Sequence, residues 1–161
     1  MSSQLADSLP PDHTLCLPSE AEWEAAAAYA GPGARRAYPW GDEAPTLEYA
    51  VYDAWQLGAP APVGLCPAGM AACGALDLAG NVWEWASSSS KAYPEGAAAL
   101  VKDFTDDDYA VPYRGGAYYG NSTIVRCGAR SWVPPSYGYD NPGFRVVVVP
   151  RARTNVLFSA S

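Results

Sequence analysis

Glycine and proline interrupt this chain so often that long regular elements have little room. Fifteen residues of each type are spread over the 161 positions. Turn signals are densest between residues 31 and 80, for example at Gly31-Pro32-Gly33 and at residues 59–62. The distribution is too scattered for a linker and too rich for a helical bundle. It predicts one loop-rich α+β domain with a single core.

A few segments carry signals of regular structure. Ser19 followed by Glu22 forms a capping-box pattern, and the alanine-rich run from Glu22 to Ala30 predicts a helix of about three turns. Clusters of aromatic and β-branched residues predict strands at 81–86, 113–118, 125–131 and 144–149. The boundaries that follow are a flexible leader at 1–15, a folded domain at 16–150 and a C-terminal tail at 151–161.

Charge and hydropathy exclude several classes of function. The net charge is −7 and the isoelectric point is about 4.5, so the surface repels phosphate backbones and no nucleic-acid partner is expected. The polar start of the chain is not a signal peptide, and no stretch reaches the roughly 20 apolar residues of a membrane helix. We expect no membrane span and, by default, a cytoplasmic location. An upstream domain or a second chain could complete the protein.

The cysteines give no sign of a zinc or dithiol site. Cys16, Cys66, Cys73 and Cys127 include no CxxC pair, which disfavours zinc-ribbon and thioredoxin-like functions. Cys66 and Cys73 flank a Pro/Gly turn. They are interpreted first as small thiols in the core, and alternatively as a short disulfide in an oxidising compartment.

Four motifs follow one another along the chain. They are LPSEAEWE at 17–24, YPWGDE at 38–43, LDLAGNVWEW at 76–85, and RGGAY at 114–118 with the later segments 126–131 and 143–146. Together they resemble the formylglycine-generating-enzyme, or sulfatase-modifying factor, family. The resemblance covers about residues 16–149 and implies a C-type-lectin-like fold with little regular secondary structure. The family's usual N-terminal part is missing or shortened in this sequence.

The same motifs contain residues with structural roles. Tryptophans supply large apolar area, and core anchors are expected at Trp23, Trp40, Trp83 and Trp85. A guanidinium group can satisfy several loop carbonyls at once, and such hubs are expected at Arg114, Arg126, Arg130 and Arg145. The acidic partners predicted for them are Asp42, Glu43, Asp77 and Glu84.

The third motif also holds groups suited to a hard cation, which takes carboxylate and carbonyl oxygens. The resemblance implies a calcium site formed by the Asp77 side chain, the Gly80 and Val82 carbonyls and the Glu84 carboxylate. The alternative is that Asp77 and Glu84 pair with arginines. The family's second calcium site is predicted to be absent, because Val51 stands where its usual asparagine would be.

The copper chemistry of the family lacks its ligands here. Formylglycine-generating enzymes bind copper(I) through a cysteine pair, and copper(I) requires such soft ligands. The corresponding residues 118–125 contain no cysteine. Cys127 matches a structural cysteine whose usual partner falls at Ala27, so a free buried thiol is expected. Related sulfoxide synthases take iron-binding histidines from a separate domain, and this chain has only His13, expected in the solvated leader. We therefore expect no copper, no iron and no catalysis.

Residues 117–141 suggest a recognition surface. About half of them are Tyr, Ser, Gly or Asn, a composition typical of antibody binding loops. The layout resembles the variable region of diversity-generating-retroelement proteins. The primary hypothesis is a non-catalytic protein whose variable surface binds a protein or other macromolecular ligand. The residues of this binding patch are Tyr118, Tyr119, Asn121, Ser122, Ile124, Ser131, Trp132, Val133, Ser136, Tyr137, Tyr139, Asp140 and Asn141.

Two alternatives remain for function. One is a generic ligand-binding or regulatory domain. The other is a formylglycine-generating-type oxidoreductase or a sulfoxide-synthase-like enzyme domain that acts on a protein cysteine or a thiol.

Overall fold

The computed structural model describes residues 9–88, 110–133 and 142–151. Loops dominate these ranges, in agreement with the expected loop-rich α+β class. The helix and strands are β1 His13–Cys16, α1 Glu20–Ala28, β2 Trp83–Trp85, β3 Val111–Arg114, β4 Arg130–Val133, β5 Pro142–Phe144 and β6 Val147–Pro150. Short 3-10 helices occur at Asp53–Trp55 and Pro67–Gly69. Within the described ranges, no helix has the length and apolar character needed to cross a membrane.

The capping box starts α1 as predicted. The Ser19 hydroxyl accepts a hydrogen bond from the Glu22 N–H at 3.3 Å, and the Glu22 carboxylate accepts one from the Ser19 N–H at 2.9 Å. The helix begins and ends two residues earlier than predicted, at Glu20 and Ala28. It ends there because Tyr29 adopts an extended conformation and forms an isolated β-bridge with Arg35.

The strands form two separate sheets. Four of them make a sheet of order β4-β3-β2-β5, in which only the β2–β5 pair is parallel, while β1 and β6 form an antiparallel ribbon. The strand predicted at 144–149 is therefore wrong as one element, because its two halves pair with different sheets. The strand predicted at 125–131 begins only at Arg130, after a series of turns.

The predicted leader overlaps the folded unit. His13 pairs with Pro150 and Cys16 with Val147 along the β1–β6 ribbon. The boundary at residue 16 is thus too late, since three residues assigned to the leader belong to β1. His13 is half-buried, and its Nδ1 lies 2.9 Å from the Pro11 carbonyl oxygen.

The core forms around the buried face of α1. Trp23 is 1% exposed and packs in one cluster with alanines of the helix, Leu78 and Cys127. The other three predicted anchors are only half-buried. Trp40 stacks between two tyrosine rings, with centroids 5.0 and 4.9 Å away. Ring stacking thus packs this half-buried part of the loop region, next to the aliphatic packing around α1.

Candidate functional site

Glutamates on α1 hold the arginines of the sheet. The Glu20 carboxylate accepts hydrogen bonds from Arg114 at 3.3 Å and from Arg130 at 2.7 Å. Arg114 also donates to Glu24 at 2.6 Å. The side chains of Glu20 and Arg114 are fully buried. This network connects α1 to both β3 and β4 through charge-assisted hydrogen bonds.

A second ion pair lies on β2. Arg145 donates to both oxygens of Glu84, from Nε to Oε2 at 2.5 Å and from Nη2 to Oε1 at 2.6 Å. The Trp23 indole N–H donates to the same carboxylate at 2.7 Å. Arg145 also reaches the Leu76 carbonyl at 3.1 Å. Arg145 follows β5, so this fork connects β5 to the middle of the sheet and to the core tryptophan.

Only one of the four predicted acidic partners contacts an arginine. Glu84 pairs with a guanidinium group, as expected. Asp42 and Asp77 instead accept backbone N–H groups at 2.8 and 2.6 Å, and Glu43 accepts a tyrosine hydroxyl at 3.1 Å. The predicted pairing is therefore wrong for these three residues, whose carboxylates stabilise loops.

The groups predicted to hold calcium are Asp77, Gly80, Val82 and Glu84, and their arrangement does not fit a cation. Both Glu84 oxygens face Arg145, and an Asp77 oxygen accepts a backbone N–H. The described ranges contain no group of three or more His, Cys, Asp or Glu side chains placed to hold a metal ion. For Glu84 the geometry agrees with the alternative of an arginine pair, and calcium binding stays a prediction.

Seven of the thirteen side chains of the binding patch are described, and none of them is buried. The exposed ones are Tyr119, Asn121, Ser122 and Trp132. The half-buried ones are Tyr118, Ile124 and Ser131. Outside the described residues lie the Val133 side chain, Ser136, Tyr137, Tyr139, Asp140 and Asn141.

Two members of the patch have structural roles. The Asn121 carboxamide oxygen accepts the N–H groups of Thr123 at 3.0 Å and Ile124 at 3.3 Å, which closes a turn. Ile124 packs so tightly over Gly120 that a Cβ atom there would overlap its side chain. These residues shape the loop after β3 instead of offering free binding groups.

Tyr119 and Trp132 are the large exposed rings of the described patch, at 52% and 54% exposure. The Trp132 ring lies under the Arg130 guanidinium group, 5.2 Å from its centroid. Arg130 is itself held by the buried Glu20. Trp132 is therefore an exposed aromatic group positioned by the buried network beneath it.

Cys127 is a free buried thiol, as expected. Its sulfur donates to the Ala27 carbonyl at 3.3 Å, and burial raises the pKa of the thiol to about 12. Such a thiol is inert at neutral pH. Cys66 and Cys73 are also free, so the structure agrees with thiols and not with the disulfide. Cys73, however, is exposed and not part of the core.

Comparison with known proteins identifies relatives of the chain. A family model described as "Sulfatase-modifying factor enzyme 1-like domain" matches residues 8–150. Hercynine oxygenase of Mycobacterium tuberculosis is 43% identical over 125 residues, which cover 74% of this chain and 29% of that protein. Formylglycine-generating enzyme of the same organism is 37% identical over 91 residues, covering 48% of this chain and 28% of that protein.

A further relative has nearly the same coverage of both chains. Hercynine oxygenase of Mycolicibacterium thermoresistibile is 41% identical over 128 residues, covering 74% of this chain and 28% of that protein. The chain thus spans less than a third of the length of the curated relatives it matches.

Solved structures confirm the fold. Treponema denticola variable protein 1 has a TM-score of 0.59 and 25% identity, covering 84% of this chain and 48% of that one. PvdO from Pseudomonas aeruginosa has a TM-score of 0.61 and 26% identity, covering 83% of this chain and 52% of that one. Both likenesses agree with the expected loop-rich α+β fold.

These relatives correct the primary functional hypothesis. Proteins 37–43% identical to this chain are named hercynine oxygenase, whereas the likeness to a variable protein is at 25% identity. The hypothesis of a non-catalytic variable protein is therefore wrong, as is the prediction that the chain is not an enzyme. The lack of cysteines in residues 118–125 argues against one chemistry of the family, but it does not argue against catalysis.

Proposed function

The chain belongs to the sulfatase-modifying factor enzyme 1-like domain family, and from that membership we propose that it forms part of a sulfoxide-synthase-like oxidoreductase acting on a thiol. The observation that carries this proposal is the 43% identity to a hercynine oxygenase over 125 residues. The composition of residues 118–125, which lack the cysteines of a copper site, favours this reaction over formylglycine generation. Hercynine is accordingly the first substrate to test.

We propose that the metal-binding groups of this enzyme lie outside the described residues. No cluster of potential ligands occurs within those ranges, and the relatives are more than three times as long as their match. The contribution of this chain is then a surface that binds and orients substrate. No redox step is assigned to its own side chains.

The aromatic rings of the patch are the proposed substrate contacts. Tyr119 and Trp132 offer large apolar area at low conformational cost, because each side chain has only two rotatable angles. Trp132 is further held by Arg130, which is anchored on Glu20. A binding group fixed from beneath by a buried network loses little entropy when substrate arrives.

Formylglycine generation is the second candidate. It is supported by the 37% identity to a formylglycine-generating enzyme over 91 residues. Against it, the buried Cys127 has its thiol pKa raised to about 12 and donates to a carbonyl, so it is poorly suited to bind copper(I).

The test uses the full-length polypeptide that contains this chain, incubated under oxygen in two parallel reactions. One contains iron(II), hercynine and cysteine, and the other contains copper(I) and a cysteine-containing peptide. Oxygen uptake with a sulfoxide product of hercynine, identified by mass spectrometry, is the expected result. Conversion of the peptide alone would support the second candidate. Failure of both reactions in a folded, metal-loaded protein would refute both functions.

A further inference from the structure

A cleft of about 530 Å³ opens beside the loop that follows β3. Its wall contains three arginines, Arg35, Arg36 and Arg126, together with Asp42 and Thr123. We call it the arginine cleft. Three guanidinium groups therefore line one cleft of a chain whose net charge is −7. The volume lies within the range of small-molecule sites, roughly 300–1,000 Å³.

Two of these arginines have no acidic partner among the described residues. Arg126 donates from Nε to the Tyr38 hydroxyl at 3.4 Å, and its guanidinium group lies 5.6 Å from the centre of the Tyr38 ring. Arg36 donates from Nη1 to the Pro39 carbonyl at 3.3 Å. A guanidinium group has five N–H donors, so both side chains keep donors for a ligand.

The charge in the arginine cleft is positive on balance. Arg35 pairs with Glu24 at 3.1 Å, and this hydrogen bond raises the pKa of Arg35. Asp42 accepts a hydrogen bond from the Ala37 N–H at 2.8 Å through one carboxylate oxygen. The lining thus contains three guanidinium groups and one carboxylate, that of Asp42. Glu24 lies outside the lining and is shared between Arg35 and the buried Arg114. The cleft attracts anions locally, although the whole chain repels them.

The cleft is held together before any ligand arrives. The Cys127 N–H donates to the Ala37 carbonyl at 2.9 Å, which joins the two chain segments that form the walls. Tyr38 beneath Arg126 stacks on Trp40 with centroids 5.0 Å apart. Gly128 leaves space for Arg35, whose Nη2 would lie 3.1 Å from a Cβ atom at that position. These contacts give Arg35 and Arg126 defined neighbours in the ligand-free structure, which lowers the cost of ordering them on binding.

We propose that the arginine cleft binds a small multivalent anion, of carboxylate or phosphate chemistry, through Arg36 and Arg126. Guanidinium groups match both anions because their N–H groups form parallel pairs of hydrogen bonds with two oxygens. Neither arginine belongs to the binding patch, although Thr123 in the cleft wall lies between two of its members. Anion binding is tested separately from the proposed function.

The test is calorimetric titration of the full chain with succinate and with inorganic phosphate at constant ionic strength. Binding of either anion is expected, and the stronger of the two identifies the chemistry of the natural ligand. The variants Arg36→Gln and Arg126→Gln are each expected to weaken binding about tenfold, as for loss of a charge-assisted hydrogen bond. Arg126→Lys, which keeps the charge, should weaken it less.

Arg151→Gln is the matched control, because Arg151 lies beyond β6 and donates to the His13 carbonyl at 3.3 Å. It removes the same charge from the chain and should leave anion binding unchanged. Thermal melting of each variant shows that it is folded. Absence of binding for both anions would overturn the proposal, as would equal binding by wild type, Arg36→Gln and Arg126→Gln.

Discussion

Arg114 and Glu20 form an ion pair in which both side chains are fully buried, with Nη1 3.3 Å from Oε1. Arg114 lies on β3 and Glu20 begins α1, so the pair fixes the helix against the sheet. The arginine also donates to Glu24 and to the Cys127 carbonyl at 2.9 Å. A buried charge that loses its partner retains the cost of desolvation without compensation. The stability of the fold therefore depends strongly on this pair.

Replacing Arg114 is expected to destabilise the domain. Arg114→Met removes one of the two arginine partners of Glu20 and a partner of Glu24. It should lower the free energy of unfolding by about 3 kcal/mol, as measured by urea denaturation. Arg35→Gln is the control, because its pair with Glu24 is half exposed at Arg35 and should cost at most about 1 kcal/mol. Similar losses in the two variants would contradict the role assigned to the buried pair.

A calcium ion at this site would compete with Arg145 for the Glu84 carboxylate. Both carboxylate oxygens are taken by Arg145, so adding calcium should leave the melting temperature of the chain unchanged. Glu84→Gln should lower that temperature even without calcium, because it breaks the fork and weakens the bond from Trp23. A calcium-dependent rise that disappears in Glu84→Gln would instead show that the cation displaces the arginine.

Cys127 should make the free energy of unfolding fall as pH rises above about 9. Burial raises the pKa of its thiol from 9.0 to about 12. The unfolded chain therefore loses this proton from about pH 9, while the folded chain keeps it. The contribution of Cys127 is fully present below pH 9 and declines as pH rises towards 12, by up to about 1.4 kcal/mol per pH unit.

The variant Cys127→Ala isolates that contribution. The free energy of unfolding of both proteins is measured by urea denaturation between pH 8 and about pH 10.5. All other titrating groups are the same in the two proteins. The free energy of unfolding of wild type relative to Cys127→Ala should therefore fall as pH rises. A difference that stays constant over this range would mean that the thiol pKa is not raised.

Trp132 should matter for substrate and little for folding. Its ring is 54% exposed, so Trp132→Ala should change the free energy of unfolding by about 1 kcal/mol or less. If the ring contacts substrate, KM for hercynine should rise about tenfold or more. Val63→Ala is the control, since Val63 is 87% exposed and lies outside the patch. An unchanged KM in Trp132→Ala would remove this residue from the substrate site.

Local signals in the sequence correctly indicated some elements and missed others. The capping box at Ser19 and Glu22 is local chemistry, and it produced the helix where expected. Glu20 and Glu24 gave a weaker signal, two acids four residues apart on one helix face. The partners of Glu20, Arg114 on β3 and Arg130 on β4, are 94 and 110 residues away in the sequence. Pairing across such separations follows from packing and has no local pattern.

The binding patch is a second case in which local composition could not predict the contacts between side chains. Composition predicted a binding surface, which stays a prediction, and the described side chains of the patch are exposed or half-buried. Composition could not show that Asn121 closes a turn, or that Arg130 covers Trp132. The missing copper cysteines were visible in the sequence, but the inference from them to a silent protein was wrong. It took the lack of copper and iron ligands in this sequence as a lack of catalysis.

The sequence by itself determined the fold family, the capped helix and the free buried Cys127. These depend on short motifs and on residue types whose conformational and burial preferences act locally. The tertiary structure alone decided which acid meets which arginine, and it split residues 142–150 between two sheets. It also brought Arg36 and Arg126 to one cleft. Those outcomes are set by the close packing of segments far apart in the chain, where each buried charge and strand edge takes the partner that the fold brings near.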